Sequence, residues 1–251
     1  MVIGVDRFRA HFAGHEHQYV LIGGAACDLV MDEVGLDFRA TKDLDIVLIV
    51  EALDRAFAER VWAFIEAGGY EIRERSEGEK ILYRFQKPKA ADFPAMLELF
   101  SRAPAGLELG ADSHLTPLPI DEAAASLSAI LLDESYYAFL KAMVREVDGI
   151  PVLDEAAIIP FKARAWLDLT AQREAGEKID EKNIRKHRND VARLLQLLSP
   201  ESRYALPDKV AADMRSFVER ATAETDYNPK QFKVNITAEE VGRRLRAAYQ
   251  L

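Results

Sequence analysis

The sequence holds a single cysteine, Cys27, in 251 residues. An internal disulfide is therefore impossible, which fits a reducing cytoplasm. Positive charge is also short. Lys and Arg number 33 against 42 Asp and Glu, a formal net charge of −9. That balance excludes a basic footprint spread over the whole surface, while a local basic patch stays compatible with it. No apolar run reaches membrane-spanning length, and the opening stretch MVIGVDRFRAHFAGHEH has no apolar signal core. There is no internal repeat and no low-complexity tract. These absences lead to the expectation of a soluble, cytoplasmic globular protein with no membrane contact. A composition of 49% hydrophobic and 30% charged residues supplies enough apolar surface for one large domain or two small ones.

Periodicity divides the chain. Residues 1–18 read as a helix leading into an apolar strand, Tyr19-Val20-Leu21-Ile22, which stops at Gly23-Gly24. A helix follows over 25–34, then a strand over 44–50. Leu53, Phe57, Val61, Phe64 and Ile65 keep a helical period that Gly68-Gly69 closes. Strands are expected over 80–86 and 95–101. Segment 102–125 reads as turns and short strands, and 127–132 and 138–148 are each compatible with strand or helix. Long helices are expected over 155–174, 181–198, 207–223 and 237–249, the last opened by the capping sequence Thr237-Ala238-Glu239-Glu240. The expected fold class is α/β (α+β), a mixed sheet with flanking helices followed by a C-terminal helical domain. The expected domains are 1–150 and 151–251.

The most informative stretch is Arg39-Ala40-Thr41-Lys42-Asp43-Leu44-Asp45-Ile46. Alternate residues of a strand share a face, so Asp43 and Asp45 stand side by side. Two adjacent carboxylates repel unless a positive charge lies between them, and a divalent cation supplies one. Mg²⁺ suits this role, because it takes one or two carboxylates and completes its shell with phosphate oxygens. Upstream, the Gly23-Gly24 turn lets a phosphate approach the backbone and a helix N-terminus. Glu98 lies in the otherwise apolar run Met96-Leu97-Glu98-Leu99-Phe100. A carboxylate there is costly unless it is paired, bound to metal or turned to solvent on an edge strand. If its strand lies beside that of Asp43 and Asp45, Glu98 joins them as a metal ligand or as the acceptor of a hydroxyl proton.

In the helical half, Ile158, Lys162 and Trp166 follow at i, i+4 and i+8, which sets Lys162 in an apolar stripe. Such a lysine either snorkels or points into a site where its compact charge meets phosphate. Asp190 stands at the margin of the stripe formed by Val191, Leu194, Leu195 and Leu198, within reach of Lys162 or the metal region. Arg185 and Arg188 read as part of a solvated helix face.

With strand, Gly23-Gly24, helix, Asp43-Leu44-Asp45 and a later Glu98 in place, the chain resembles the DNA polymerase β-type nucleotidyltransferase superfamily. The string Arg39-x-Thr41-x-Asp43-Leu44-Asp45 is similar to the AbiEii branch, the nucleotidyltransferase toxins of toxin–antitoxin systems. The resemblance implies a nucleotidyltransferase domain followed by a helical one. It implies Mg²⁺- or Mn²⁺-dependent transfer of a nucleoside monophosphate from an NTP, with release of pyrophosphate. Asp43, Asp45 and Glu98 would be catalytic and metal-binding. Gly23, Gly24, Lys162, Asp190, Arg39 and Lys42 would bind the NTP. The acceptor would be RNA, tRNA among the candidates, or a protein side chain, and a cognate antitoxin would be a partner. The sequence departs from the branch at Ala25, where Ser or Thr usually follows the glycines.

Two other classes stay open. A small-molecule nucleotidyltransferase, such as one modifying an aminoglycoside, suits an acidic protein. A nucleotide-binding module without catalysis is the reading Ala25 favours. For an RNA acceptor, Lys182, Arg185, Lys186, Arg188, Arg193, Arg243, Arg244 and Arg246 are the candidate basic groove. His15, His17 and His114 have no assigned role, Cys27 reads as a small helix residue, and Trp62 and Trp166 read as packing residues.

Overall fold

A computed structural model of the chain describes residues 2–72, 82–101 and 130–251. They form two compact units. The first holds the described residues up to 101 together with Val144–Leu153. The second holds those from 130 to Met143 together with Asp154–Leu251. The chain thus leaves the first unit, contributes a helix to the second, returns for a hairpin, and leaves again. The expected division between residues 150 and 151 falls within that hairpin. No helix among the described residues is long and apolar enough to cross a membrane.

Among the described residues the first unit is built on a seven-stranded mixed sheet. Its strands are β1 (Tyr19–Ile22), β2 (Asp43–Leu48), β3 (Glu71–Ile72), β4 (Leu82–Gln86), β5 (Met96–Phe100), β6 (Val144–Val147) and β7 (Ile150–Leu153), in the order β3-β4-β5-β2-β1-β7-β6. Among the described residues three α-helices accompany them: α1 (Val5–His11), α2 (Gly23–Asp32) and α3 (Arg55–Gly68). β1 is central and buried along its length, as its apolar run requires. It runs antiparallel to β2 and parallel to β7, while β2 and β5 run parallel. One face of the sheet is apolar. Phe8 of α1, Phe12 just beyond it, and Phe57, Val61, Phe64 and Ile65 of α3 converge on Ile46, Leu48, Leu97 and Leu99. Alternation along β2 and β5 then turns Asp45 and Glu98 to the opposite face. α3 has the ends its sequence specifies. Asp54 accepts from the Phe57 amide at 2.8 Å, and Gly69 closes the helix in the left-handed conformation.

The opening segment is a helix only over Val5–His11, with a 3₁₀ turn at Glu16–Gln18 before β1. α2 begins at Gly23 itself, two residues earlier than expected. The open assignment over 138–148 resolves into the end of α4 (Glu134–Ala142) and the strand β6. β6 and β7 are joined by Asp148-Gly149, with φ of 49° and 76°. Both angles are positive, as a two-residue turn twisted to match a hairpin demands, and Asp-Gly is a favoured pair for it. That dipeptide between Val144–Val147 and Ile150–Leu153 was the legible signal. The turns expected over 102–125, the segment 127–129 and His114 lie outside the described residues.

The second unit is helical: α4, α5 (Glu155–Glu174), α6 (Glu181–Leu194), α7 (Asp208–Ala223) and α8 (Ala238–Tyr249). Thr237 caps α8, accepting from the Glu240 amide at 3.1 Å. α5 is buried nearly all round its first three turns and carries Pro160. A proline inside a helix withdraws the N–H that would bond the carbonyl four residues earlier. That carbonyl belongs to Ala156, and the Tyr249 hydroxyl donates to it at 2.8 Å. The end of α8 thus replaces the bond that Pro160 removes.

Candidate active site

In the first unit, strand register assembles a row of side chains. Ile22 of β1 stands opposite Asp45 of β2, Asp45 opposite Glu98 of β5, and Glu98 opposite Arg84 of β4. Asp43, two residues before Asp45, shares its face and is likewise half-buried. Glu98 is only 6% exposed. It shares a hydrogen bond with Asp45, and burial together with the Asp45 charge pushes its carboxyl up to about 8. Arg84 pulls the other way, donating from Nε to Glu98 Oε1 at 2.6 Å and completing a buried ion pair. Arg84 was absent from the sequence-predicted set. The signal was available, since Arg84 is a charged residue in a strand alternating with apolar ones, as Glu98 is.

The glycine turn closes on this row. Gly23 has φ of +68°, and a Cβ built on it would lie 1.7 Å from Asp45 Oδ2. The next amide, Gly24 N–H, donates to that oxygen at 3.3 Å. A Cβ on Gly24 would meet Thr41 Oγ1 at 2.7 Å. The two glycines therefore seat Asp45 and Thr41, both of the Arg39-to-Asp45 string, against the start of α2. Asp45, not a side chain of α2, accepts from the second amide of that helix. Arg39 is half-buried with its guanidinium 5.2 Å from the Phe38 ring centre, and Lys42 is exposed. Ala25 and Cys27 are fully buried in α2, and Cys27 donates to the Gly23 carbonyl at 2.9 Å.

Among the described residues no group of three or more His, Cys, Asp or Glu side chains is arranged to hold a metal ion. The donors of Asp43 and Asp45 are all hard carboxylate oxygens, too few for a closed cage. That chemistry fits a cation that takes few protein ligands and completes its shell from phosphate and water.

In the second unit, Lys162 of α5 and Asp190 of α6 meet. Lys162 Nζ lies 3.4 Å from Asp190 Oδ2, with side chains 8% and 0% exposed. Asp190 Oδ1 accepts from Arg193 Nη1 at 3.0 Å. Arg193 as a partner was also missed, although an aspartate and an arginine three residues apart on a helix are natural neighbours. Arg188 corrects the expectation of a solvated face. It is 3% exposed, pairs with Glu224 and with Asp226 at 3.0 Å, and stacks 4.5 Å from the Tyr227 ring centre. Arg185 is exposed but paired with Glu181 and Asp226. Arg243 and Arg244 both bind Glu240. Much of the candidate basic groove is thus already neutralised by neighbouring carboxylates. His15 bonds Gln18 at 2.6 Å, and Trp166 packs edge-on against Phe217.

No protein-family model matches the chain. A search of curated proteins finds no match either. Among solved structures, the chain aligns with an antigenic nucleotidyltransferase-like protein from Paracoccidioides brasiliensis. The alignment has 13% sequence identity and a TM-score of 0.46, over 99% of this chain and 96% of that one.

Proposed function

We propose that the protein is a nucleotidyltransferase that moves a nucleoside monophosphate from an NTP to an acceptor hydroxyl. The observation that carries this reading is the row of Asp43, Asp45 and Glu98 on one face of the sheet, locked against the Gly23-Gly24 turn. Asp43 and Asp45 would hold Mg²⁺ or Mn²⁺, which when bound neutralises phosphate charge. Glu98 takes the proton of the attacking hydroxyl. A buried carboxyl tuned toward neutrality is a stronger base than an ordinary one, and Arg84 holds its Oε1. The acceptor oxygen forms its bond to the α-phosphorus as the bond to the bridging oxygen breaks, and pyrophosphate leaves. Within the helical unit, Lys162, oriented by Asp190, would offer a positive charge to phosphate. Gly23 and Gly24 let the phosphates approach the backbone beside Asp45, and Arg39 and Lys42 flank the same string. The rate gain comes from positioning and charge neutralisation.

In this reading the activity is AbiEii toxin-like, with an RNA end such as tRNA or a protein side chain as acceptor and an antitoxin as partner. A specific observation supports a second acceptor class. The pairing of Arg185, Arg188, Arg243 and Arg244 with carboxylates leaves less free positive charge for RNA, which favours a cationic small molecule. The test is transfer of label from each α-³²P NTP to cellular RNA, to protein and to aminoglycosides, beside an Asp43→Ala/Asp45→Ala variant. Label that appears only with the wild type establishes the chemistry, and the labelled species names the acceptor. No label on any acceptor with any NTP overturns the reading in favour of a binding module.

A further inference from the structure

A cavity of about 260 Å³ opens in the helical unit between the end of α5, the first half of α6 and the segment that follows α7. Three arginines and three carboxylates line it: Arg173 of α5, Glu181, Arg185 and Arg188 of α6, and Glu224 and Asp226 after α7. Their charges alternate. Glu181 Oε1 accepts from Arg185 Nη2 at 2.6 Å, Arg185 Nε faces Asp226 Oδ2 at 3.2 Å, and Asp226 Oδ1 accepts from Arg188 Nη1 at 3.0 Å. The same Nη1 donates to Glu224 Oε2. Two carboxylates thus share one nitrogen of Arg188. Its Nε is buried with no hydrogen-bond partner among the described residues. We propose that this cavity binds a small zwitterion, a free α-amino acid, with its carboxylate on Arg188 and its ammonium on Glu224. The site uses no residue of the proposed transfer chemistry and does not depend on that reading.

The unpartnered donor sets the first requirement. Burying an N–H without an acceptor costs its full desolvation, and an acceptor oxygen arriving through the cavity that Arg188 lines recovers it. A guanidinium is a flat fork that suits a carboxylate. Glu224 meets Arg188 through Oε2, which leaves Oε1 as an acceptor for an ammonium beside it. The balance of the lining sets the second. With three positive and three negative side chains around it, a bare anion or cation meets as much like charge as opposite charge and gives up its hydration for little net attraction. A zwitterion adds no net charge and sets each end against its opposite. The volume lies under the range of about 300–1,000 Å³ usual for drug-sized ligands, so the occupant is small. The wall is also held in place. The Arg188 guanidinium lies 4.5 Å from the Tyr227 ring centre, and the Tyr227 hydroxyl donates to the Arg188 carbonyl at 3.3 Å. Further along α6, Arg193 lies 4.8 Å from the ring centre of Phe232, in the 3₁₀ turn Pro229–Phe232. The segment after α7 therefore grips α6 at two arginines, and a ligand there needs little further ordering.

The experiment screens the full chain by thermal unfolding against each standard L-amino acid and against acetate, methylammonium and inorganic phosphate at equal concentration. Compounds that raise the midpoint are then titrated by calorimetry. At least one amino acid is expected to bind about tenfold or more tightly than acetate, methylammonium or phosphate, the scale of one further charged hydrogen bond. Glu224→Gln is expected to weaken that binding about 10- to 100-fold, and Arg188→Met at least as much, with Arg188→Lys recovering part of the loss. The Asp43→Ala/Asp45→Ala variant should bind the amino acid as wild type does, since those residues belong to the other unit. Binding of no amino acid overturns the proposal. So does acetate, methylammonium or phosphate binding as tightly as any amino acid, or a Glu224→Gln variant that binds like wild type. Loss of binding in the Asp43→Ala/Asp45→Ala variant overturns it as well. Should Arg188→Met not fold, Glu224→Gln decides in its place, at a side chain 30% exposed. Amino-acid binding in a chain that transfers no nucleotide would overturn the proposed function and leave this inference standing.

Discussion

Gly23 and Asp45 touch where no side chain can stand between them. A Cβ at Gly23 would lie 1.7 Å from Asp45 Oδ2, and the backbone there has φ of +68°. Glycine is required twice over, for the conformation and for the space. The contact brings the carboxylate of β2 to the first turn of α2, where Gly24 N–H meets it. The turn that an NTP would approach and the carboxylate that would hold its metal are one piece of structure.

Gly23→Ala is therefore expected to displace Asp45 and to cost about 1–3 kcal/mol from the backbone conformation alone. Urea unfolding at neutral pH measures the stability loss. In the transfer assay the same variant should fall toward the level of Asp45→Ala, because the carboxylate is moved rather than removed.

Glu98 makes stability depend on pH with a defined sign. Its carboxyl is raised from 4.5 to about 8 in the folded chain, first by burial and then by Asp45. Between those values the folded state holds more protons than the unfolded one, so stability falls as pH rises. The contribution is fully present below about 4.5 and lost above about 8. Urea midpoints of metal-free protein should decline across this window, and Glu98→Gln should remove that part of the decline. An identical slope in both proteins would refute the assignment.

Arg84 opposes that shift. Arg84→Met removes the cation that favours ionised Glu98, so the pH-dependent decline should move to higher pH than in wild type. The same series of urea midpoints, run beside Glu98→Gln, reads the displacement.

Asp190 bridges buried Lys162 and half-buried Arg193. Asp190→Asn removes the carboxylate that Lys162 and Arg193 share and should cost about 3–5 kcal/mol. Adding Arg193→Met should recover part of that cost instead of adding to it. A double-mutant cycle by urea unfolding measures the coupling, and simple additivity would contradict it.

Tyr249 has one hydrogen bond to give, and it goes to the carbonyl orphaned by Pro160. Tyr249→Phe should cost about 1–3 kcal/mol, the penalty for an unsatisfied buried acceptor. Restoring the helix bond with Pro160→Ala in the same chain should recover much of it. Thermal unfolding of the single and double variants tests the exchange.

The sequence by itself determined what is local. Alternation in Asp43-Leu44-Asp45-Ile46 set two carboxylates on one face, because a strand has period two. The apolar period of α3, its closing Gly69 and the cap Thr237 marked helices, because capping acts within a few residues. Lys162 and Asp190 were legible as charges set in or beside apolar stripes. Tertiary structure decided the partners. Arg84 reaches Glu98 only because β4 pairs with β5 in one register, and a shift by one residue would turn Arg84 to the other face. Phe232 reaches Arg193 across thirty-nine residues' separation from it, and Tyr249 reaches Ala156 across 93. Such contacts are fixed by how the elements pack and not by any short-range preference. The burial that raises Glu98 and closes over Asp190 belongs to the assembled chain, since a residue's solvent is chosen by its neighbours in space.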